Sequence, residues 1–131
     1  MPPTPLKILL IEDSPTDALL LRQLLLQVSE FPFEMEHVLD LETALKNISI
    51  NTYDAIISDL GLPDSFGIKT YDRIKEHAPL TPVIIVSGTN DRDLLNAVMN
   101  QGADNYLIKD NFDGNRIAIA ILSAIRNRSA A

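Results

Sequence analysis

Residues that could bind a cation and a phosphoryl group stand directly after four short apolar runs in this 131-residue sequence. They are Glu12 and Asp13 after the first run, Asp59 after the second, Ser87 with Gly88 after the third, and Lys109 after the fourth. If these runs are neighbouring strands of one sheet, three carboxylates, a hydroxyl and an ammonium group converge on one pocket. That combination predicts a binding site rather than a set of unrelated turns.

The three carboxylates suit a divalent metal beside a phosphoryl acceptor. Packed carboxylates repel one another, so we expect one of their pKa values to be raised, and Mg²⁺ relieves such strain because it prefers carboxylate and water oxygens. Asp59, with a reference pKa of about 3.9, is ionised at neutral pH and can attack phosphorus without a general base. Lys109 can neutralise the developing charge, and Ser87 can donate a hydrogen bond to a phosphoryl oxygen.

Two glycines fit the same chemistry. Gly88 leaves space for an incoming group, and Gly61 can present its backbone carbonyl to a metal without a blocking side chain. Each of these residues taken alone is more typical of a solvated turn or a helix cap. Their coincidence at four strand ends is what favours a functional site.

The elements that must position these residues follow from hydrophobic patterning. Apolar runs predict strands at residues 7–11, 33–38, 53–58, 83–86 and 104–108, and helical patterns follow each strand, ending near residues 28, 50, 77, 100 and 126. Ser14 with Asp17 and Asn90 with Asp93 form capping boxes, and Gly102 ends the fourth helix. A long loop after the third strand is marked by Gly61, Pro63, Asp64 and Gly67. Right-handed crossovers favour a doubly wound open sheet, in which ligands lie beyond the carboxyl ends of the strands.

Composition narrows the function classes. The net charge of −7 argues against nucleic acid as the main partner, and 5% aromatic residues with no Trp argue against base stacking. The absence of cysteine excludes disulfides and thiol catalysis. The apolar run at residues 8–11 is too short for a signal peptide or a membrane span, so we expect no membrane partner and a cytoplasmic location.

The sequence around these strand ends resembles that of the receiver domain of bacterial two-component response regulators. The resemblance covers about residues 6–122 and rests on four segments in the same order and spacing: ILLIED at 8–13, SDLGLPDSFG at 58–67, VIIVSG at 83–88 and GADNYLIK at 102–109. It implies an α/β fold with a flavodoxin-like, doubly wound, five-stranded parallel sheet in the order 2-1-3-4-5 and helices on both faces. A single receiver domain with a C-terminal helix, residues 6–131, would follow a flexible arm at residues 1–5.

The resemblance also implies a function. Asp59 would accept a phosphoryl group from a histidine kinase or a histidine phosphotransfer protein. Asp13, Asp59 and the Gly61 carbonyl would hold Mg²⁺ or Mn²⁺, with Glu12 acting directly or through water. The domain would catalyse only its own phosphorylation and dephosphorylation, so it would be a phosphoacceptor rather than an enzyme.

Ser87 and Tyr106 would form the switch pair of such a domain. Ser87 would move toward the phosphoryl group, Lys109 would contact that group, and Tyr106 would change its rotamer or packing. The phosphoryl group would thereby bias an equilibrium between two states and control a downstream protein or domain.

The sequence departs from the family after its lysine, where Asp110 takes the place of the usual proline. An acid here could lower phosphate affinity, which keeps open a second interpretation: a pseudo-receiver that binds partners without phosphorylation. A flavin or nucleotide enzyme on the same sheet is a third interpretation. It is disfavoured because the first loop, residues 12–17, is acidic and lacks glycine, so it would repel a phosphate.

Exposed apolar side chains are predicted on two helices. Leu19 and Leu26 lie one heptad apart on the first helix, away from the stripe of Ala18, Leu21 and Leu25, and are a candidate kinase-docking patch. Ile119 lies outside the core stripe of the last helix and could serve a homodimer or output face. Residues 126–128 at the end of that helix read as a solvated, basic helix terminus.

Overall fold

The computed structural model describes residues 4–88, 92–111 and 113–129. The main sheet contains five strands: β1 (Leu6–Ile11), β2 (Phe33–Val38), β3 (Ala55–Asp59), β6 (Val83–Ser87) and β7 (Asn105–Ile108). A small hairpin contains β4 (Gly61–Leu62) and β5 (Ser65–Phe66). The helices are α1 (Pro15–Leu26), α2 (Leu41–Ile50), α3 (Ile68–His77), α4 (Arg92–Gln101) and α5 (Gly114–Ser129), with a turn of 3-10 helix at Lys109–Asn111.

The five main strands are all parallel and lie in the order β2-β1-β3-β6-β7. With the hairpin set aside, this is the predicted order 2-1-3-4-5, and the flavodoxin-like fold class is confirmed. The register pairs Ile11 with Ser58 and Asp59 with Val86. It also pairs Ser87 with Ile108, so the residues that follow β1, β3, β6 and β7 meet at one edge of the sheet.

Apolar side chains fill the space on both faces of the sheet. On one face, β1 and β3 pack against α1 and α5 through residues such as Ile8, Leu21 and Ile121. On the other face, the sheet packs against α2, α3 and α4 through residues such as Leu9, Ile74 and Val98. The central strands are buried on both faces, which explains why they read as continuous apolar runs instead of alternating patterns.

Element boundaries differ from the predicted ones by a few residues. The first helix ends at Leu26 instead of residue 28, the third strand is Ala55–Asp59 instead of 53–58, and the fourth helix begins at Arg92. The predicted stop at Gly102 is confirmed, since this glycine has a φ of 118°, which L side chains rarely adopt. Asn90, the predicted cap of the fourth helix, and residues 1–3 of the predicted arm lie outside the described residues.

The β4–β5 hairpin occupies a segment that the sequence predicted to be an irregular loop. Gly61 pairs with Phe66 and Leu62 pairs with Ser65, and the Gly67 N–H donates to the Leu60 carbonyl at 2.8 Å. Strands of two residues carry no periodicity, so patterning could not reveal them. The hairpin gives the segment after Asp59 a fixed shape.

Within the described part of the chain, none of the helices combines the length and the apolar character that crossing a bilayer requires.

Candidate functional site

Three carboxylates meet at the carboxyl ends of β1 and β3. One ligand atom from each of Glu12, Asp13 and Asp59 lies within 4.8 Å of the other two. Glu12 and Asp59 are 2% and 9% exposed, whereas Asp13 is exposed. The predicted convergence of these three residues is therefore observed, with one carboxylate facing solvent and two facing the interior.

Lys109 reaches across the sheet edge into this acidic cluster. Its Nζ donates to Asp59 Oδ2 at 2.8 Å and to Glu12 Oε1 at 3.0 Å. A third hydrogen bond, also 2.8 Å, goes to Oδ2 of Asp17 on the first turn of α1. An ammonium group has three protons, so these three carboxylates use the full donor capacity of the lysine.

Burial and charge shift the pKa values of the buried pair. Burial raises the pKa of Glu12 to about 7, the hydrogen bond from Lys109 opposes that rise, and the nearby Asp59 carboxylate adds to it. Burial by itself would lower the pKa of Lys109, but hydrogen bonds to Asp17, Asp59 and Glu12 raise the pKa above its ordinary value. A raised carboxyl pKa was predicted from repulsion, yet its largest cause is loss of water around Glu12.

Local backbone geometry fixes the two buried carboxylates. The Ser14 N–H donates to Glu12 Oε1 at 3.1 Å, and the Gly61 N–H donates to Asp59 Oδ1 at 2.9 Å. His37 of the edge strand β2 lies 2.7 Å through Nε2 from the Glu12 carbonyl oxygen. Each acid is thus held by the turn that follows its strand, and Asp59 has a partner on each of its two oxygens.

The remaining predicted site residues flank this cluster. Ser87 is buried at the end of β6 and adjoins Gly88, where a Cβ would lie 3.7 Å from Lys109 Cδ. The lysine stem therefore passes directly over Gly88. Tyr106 lies on β7 and is 36% exposed. The roles of Ser87 and Tyr106 as a switch pair stay predictions.

Sequence reasoning missed two carboxylates that organise the site. Asp17 was assigned only to a capping box, and Asp64 was assigned only to a loop. Asp64 Oδ1 and Oδ2 accept hydrogen bonds of 2.9 Å from the Leu41 and Glu42 N–H groups, so it ties the hairpin after Asp59 to the start of α2. No periodic signal marks such a long-range cap. Asp17 lies four residues after Asp13 in the same acidic segment, and that closeness was the available clue.

The surface predictions have different outcomes. Leu19 and Leu26 are 58% and 57% exposed, so they form an open apolar face, while their docking role stays a prediction. The basic end of the last helix is not simply solvated, and that prediction was wrong. Arg128 pairs with Asp104 through two hydrogen bonds of 2.9 and 3.0 Å, a partner that lies 24 residues away in sequence.

The donor set fits a hard divalent cation. Glu12, Asp13 and Asp59 offer carboxylate oxygens from two neighbouring turns, and Asp13 opens the cluster to solvent. Mg²⁺ binds such sites through one or two carboxylates and keeps several waters. The fold and the site together define a doubly wound α/β protein with an acidic, lysine-bridged pocket at the carboxyl ends of its strands.

Comparison with known proteins identifies this class. Residues 8–122 match the family described as response regulator receiver domain. The chain is 32% identical over 104 residues to the transcriptional regulatory protein BasR of Escherichia coli. This match covers 79% of the chain and 46% of BasR. The chain is also 30% identical over 122 residues to the response regulator ArlR of Staphylococcus saprophyticus. This match covers 93% of the chain and 53% of ArlR.

A solved structure supports the same assignment. The signal receiver domain of an HD domain-containing protein from Pseudomonas fluorescens superposes with a TM-score of 0.83 at 26% identity, and the match covers 98% of this chain and 100% of that one. The chain belongs to the response regulator receiver domain family. It spans about half the length of the curated relatives BasR and ArlR.

Proposed function

We propose that this domain receives a phosphoryl group on Asp59 and passes the signal on as a change of conformation. The observation that supports the proposal is the contact between Asp59 Oδ2 and Lys109 Nζ at 2.8 Å, inside a cluster of carboxylates suited to Mg²⁺. A nucleophile, a cation that neutralises charge and a metal-binding set lie within one pocket. Phosphoryl transfer needs little more than such positioning and charge stabilisation.

The transfer itself needs no general base. A carboxylate oxygen of Asp59 forms the new bond to phosphorus while the bond from phosphorus to the imidazole nitrogen of a phosphohistidine breaks, and the imidazole keeps the electron pair. Asp59 is suited to this step because a carboxylate oxygen is itself the nucleophile, and hydrogen bonds from Lys109 Nζ and the Gly61 N–H hold its two oxygens in place. Water later hydrolyses the acyl phosphate, which releases inorganic phosphate and restores the carboxylate.

Glu12, Asp13, Asp59 and the Gly61 carbonyl are the groups that would hold Mg²⁺ or Mn²⁺. The cation, when bound, would offset negative charge on the phosphoryl oxygens. Lys109 would exchange its bond to Asp59 for one to a phosphoryl oxygen, a change that needs only a small rotation at the end of a flexible stem. The chain would thus be a phosphoacceptor that acts on itself, and not an enzyme with a separate substrate.

The partners follow from this role. A histidine kinase or a histidine phosphotransfer protein would supply the phosphoryl group, with Leu19 and Leu26 of α1 as its docking face. Ser87 and Tyr106 would report the phosphoryl group to the β6–β7 side of the domain. An output protein or domain would read that change, and relatives such as BasR, a transcriptional regulatory protein, pair this domain with further chain.

A pseudo-receiver that binds partners without phosphorylation is the second candidate. The observation that favours it is the saturation of Lys109 by three carboxylates together with Asp110 in the adjoining 3-10 turn. In that case Lys109 would remain a structural bridge and would never release Asp59.

Binding of beryllofluoride, a phosphoryl mimic, distinguishes the two candidates. We expect ¹⁹F NMR to detect a bound species in the wild-type chain with Mg²⁺ and to lose it when the metal is chelated. Asp59→Asn should lose it as well, whereas Asp54→Asn, a conservative change of another aspartate at the opposite end of β3, should keep it. Absence of binding by the wild-type chain would favour the pseudo-receiver.

A further inference from the structure

Asp17 is a carboxylate in the pocket that belongs to neither the metal-binding group nor the phosphoacceptor. Its Oδ2 accepts a hydrogen bond of 2.8 Å from Lys109 Nζ, as short as the bond from the same nitrogen to Asp59. The side chains of Lys109 and Asp17 are 16% and 38% exposed. The contact therefore joins a largely buried ammonium group to a carboxylate that stays partly in water.

The cap of α1 leaves the Asp17 carboxylate available for this contact. Ser14 Oγ accepts from the Asp17 N–H at 3.2 Å, which is half of the predicted capping box. In a complete box the acid would accept from the Ser14 N–H in return. That N–H instead donates to Glu12 Oε1 at 3.1 Å. Glu12 thus satisfies the cap, and Asp17 is directed outward to the lysine.

The three bonds of Lys109 differ in what phosphorylation would do to them. Asp59 is the residue that would be esterified, and Glu12 is shared between Lys109, the Ser14 N–H and the metal group. Among the described residues, the Asp17 carboxylate is bonded to Lys109, and it is neither the residue to be esterified nor a member of the metal group. It is the partner of Lys109 that can keep its hydrogen bond before and after the phosphoryl group arrives.

We propose that Asp17 is a positioning residue, which holds the Lys109 ammonium at the mouth of the pocket so that one of its protons can turn from Asp59 to a phosphoryl oxygen. This inference rests on the proposed function of Asp59. Because Asp17 sits on the first turn of α1, it also links the position of Lys109 to the helix that carries Leu19 and Leu26.

The test compares beryllofluoride affinity in the presence of Mg²⁺ across matched variants. Asp17→Ala should weaken the affinity roughly tenfold, because the ammonium loses one of its fixed partners. Glu76→Ala changes the net charge equally but removes an exposed acid at the end of α3, where its side chain pairs with Arg73, so the affinity should stay within about twofold of the wild type. Far-UV circular dichroism confirms that each variant is folded.

A double-mutant cycle shows whether Asp17 acts through the lysine. In a Lys109→Met background, Asp17→Ala should cause no further loss of beryllofluoride affinity. The same cycle in chelator, read as urea unfolding midpoints, should be non-additive and requires no metal. A role of Asp17 that does not act through Lys109 would give additive effects in both cycles.

The outcomes separate this inference from the proposed function. Wild-type affinity retained in Asp17→Ala, or an equal loss with and without Lys109, would overturn the positioning role. Failure of the wild-type chain to bind beryllofluoride would overturn the function of Asp59. The metal-free cycle would still decide whether Asp17 and Lys109 are coupled.

Discussion

At the scale of single residues, the pocket buries a carboxylate that has little compensating positive charge. Glu12 is almost fully buried, and Lys109 is its only cationic partner among the described residues. Removing water from a carboxylate costs free energy, and its attraction to one shared ammonium group offsets only part of that cost. The result is a carboxyl group whose pKa of about 7 places its charge change near neutral pH.

This shift predicts a pH-dependent stability of the metal-free chain. The unfolded chain releases the Glu12 proton at about 4.5, whereas the folded chain keeps it until about 7. Since the folded state binds the extra proton, the free energy of unfolding should fall as the pH rises between these values, by up to about 3 kcal/mol. Urea titrations in chelator measure it, and Glu12→Gln should lack this part of the slope. Parallel curves for the two proteins would contradict the assignment.

The sequence predicted which residues meet in this pocket but not all of the hydrogen bonds between them. Glu12, Asp59 and Lys109 follow buried strands, and parallel strands bring their carboxyl ends together, so their convergence could be predicted. The Asp17 contact could not, because it depends on which acceptor the Ser14 N–H selects. That choice is made by the position of Glu12 after the chain has folded.

At the scale of elements, α1 and α5 approach closely at one glycine. A Cβ at Gly114 would lie 2.4 Å from the backbone oxygen of Leu24, a distance that real Cβ atoms essentially never show. Gly114→Ala should therefore force the two helices apart and lower the free energy of unfolding by about 1–3 kcal/mol. Asn115→Ala, at an exposed neighbouring position, serves as the control. Equal stability of the two variants by urea denaturation would show that the helices shift without cost.

A second link ties the end of α5 to the start of β6. Asp104 accepts from Arg128 through both oxygens and from the Val83 N–H at 2.8 Å. Asp104→Ala leaves that buried N–H and the guanidinium group without this acceptor, so we expect a loss of about 2–4 kcal/mol in unfolding free energy.

Two arginine variants check the same link. Arg128→Ala should cost less than Asp104→Ala, because Asp104 can still accept from Val83. Arg126→Ala, at an exposed position two residues away, should change the free energy of unfolding by less than about 0.5 kcal/mol. If all three variants were equally stable in thermal and urea unfolding, the ion pair would have no structural role.

The elements were predictable where patterning is strong. Strands and helices of four or more residues appear in the predicted order, because apolar runs and capping residues mark them locally. The β4–β5 hairpin and the Asp104–Arg128 pair were not predicted, because no local signal marks them. Both are defined by contacts between segments, and neither leaves a periodic trace in the sequence.

At the scale of the whole molecule, the exposed leucines of α1 lie on the element that carries Asp17. Leu19→Glu should reduce phosphoryl transfer from a histidine kinase that phosphorylates the wild-type chain, and it should spare phosphorylation by acetyl phosphate. The physical reason is that docking would bury an unpaired carboxylate in an apolar interface, which is costly, while the substitution lies outside the pocket. Leu80→Glu changes a leucine that is 86% exposed in the α3–β6 connection, away from the pocket, and is the control. Equal loss with both phosphodonors would reject the docking role.

Phosphorylation of Asp59 is tested most directly by the intact mass of the chain after incubation with acetyl phosphate. With Mg²⁺, the wild-type chain should gain the mass of one phosphoryl group, and peptide mapping should locate it on Asp59. The gain should disappear in chelator and in Asp59→Asn. An unmodified wild-type chain, or a phosphoryl group that persists in Asp59→Asn, would contradict the claim that this carboxylate is the acceptor.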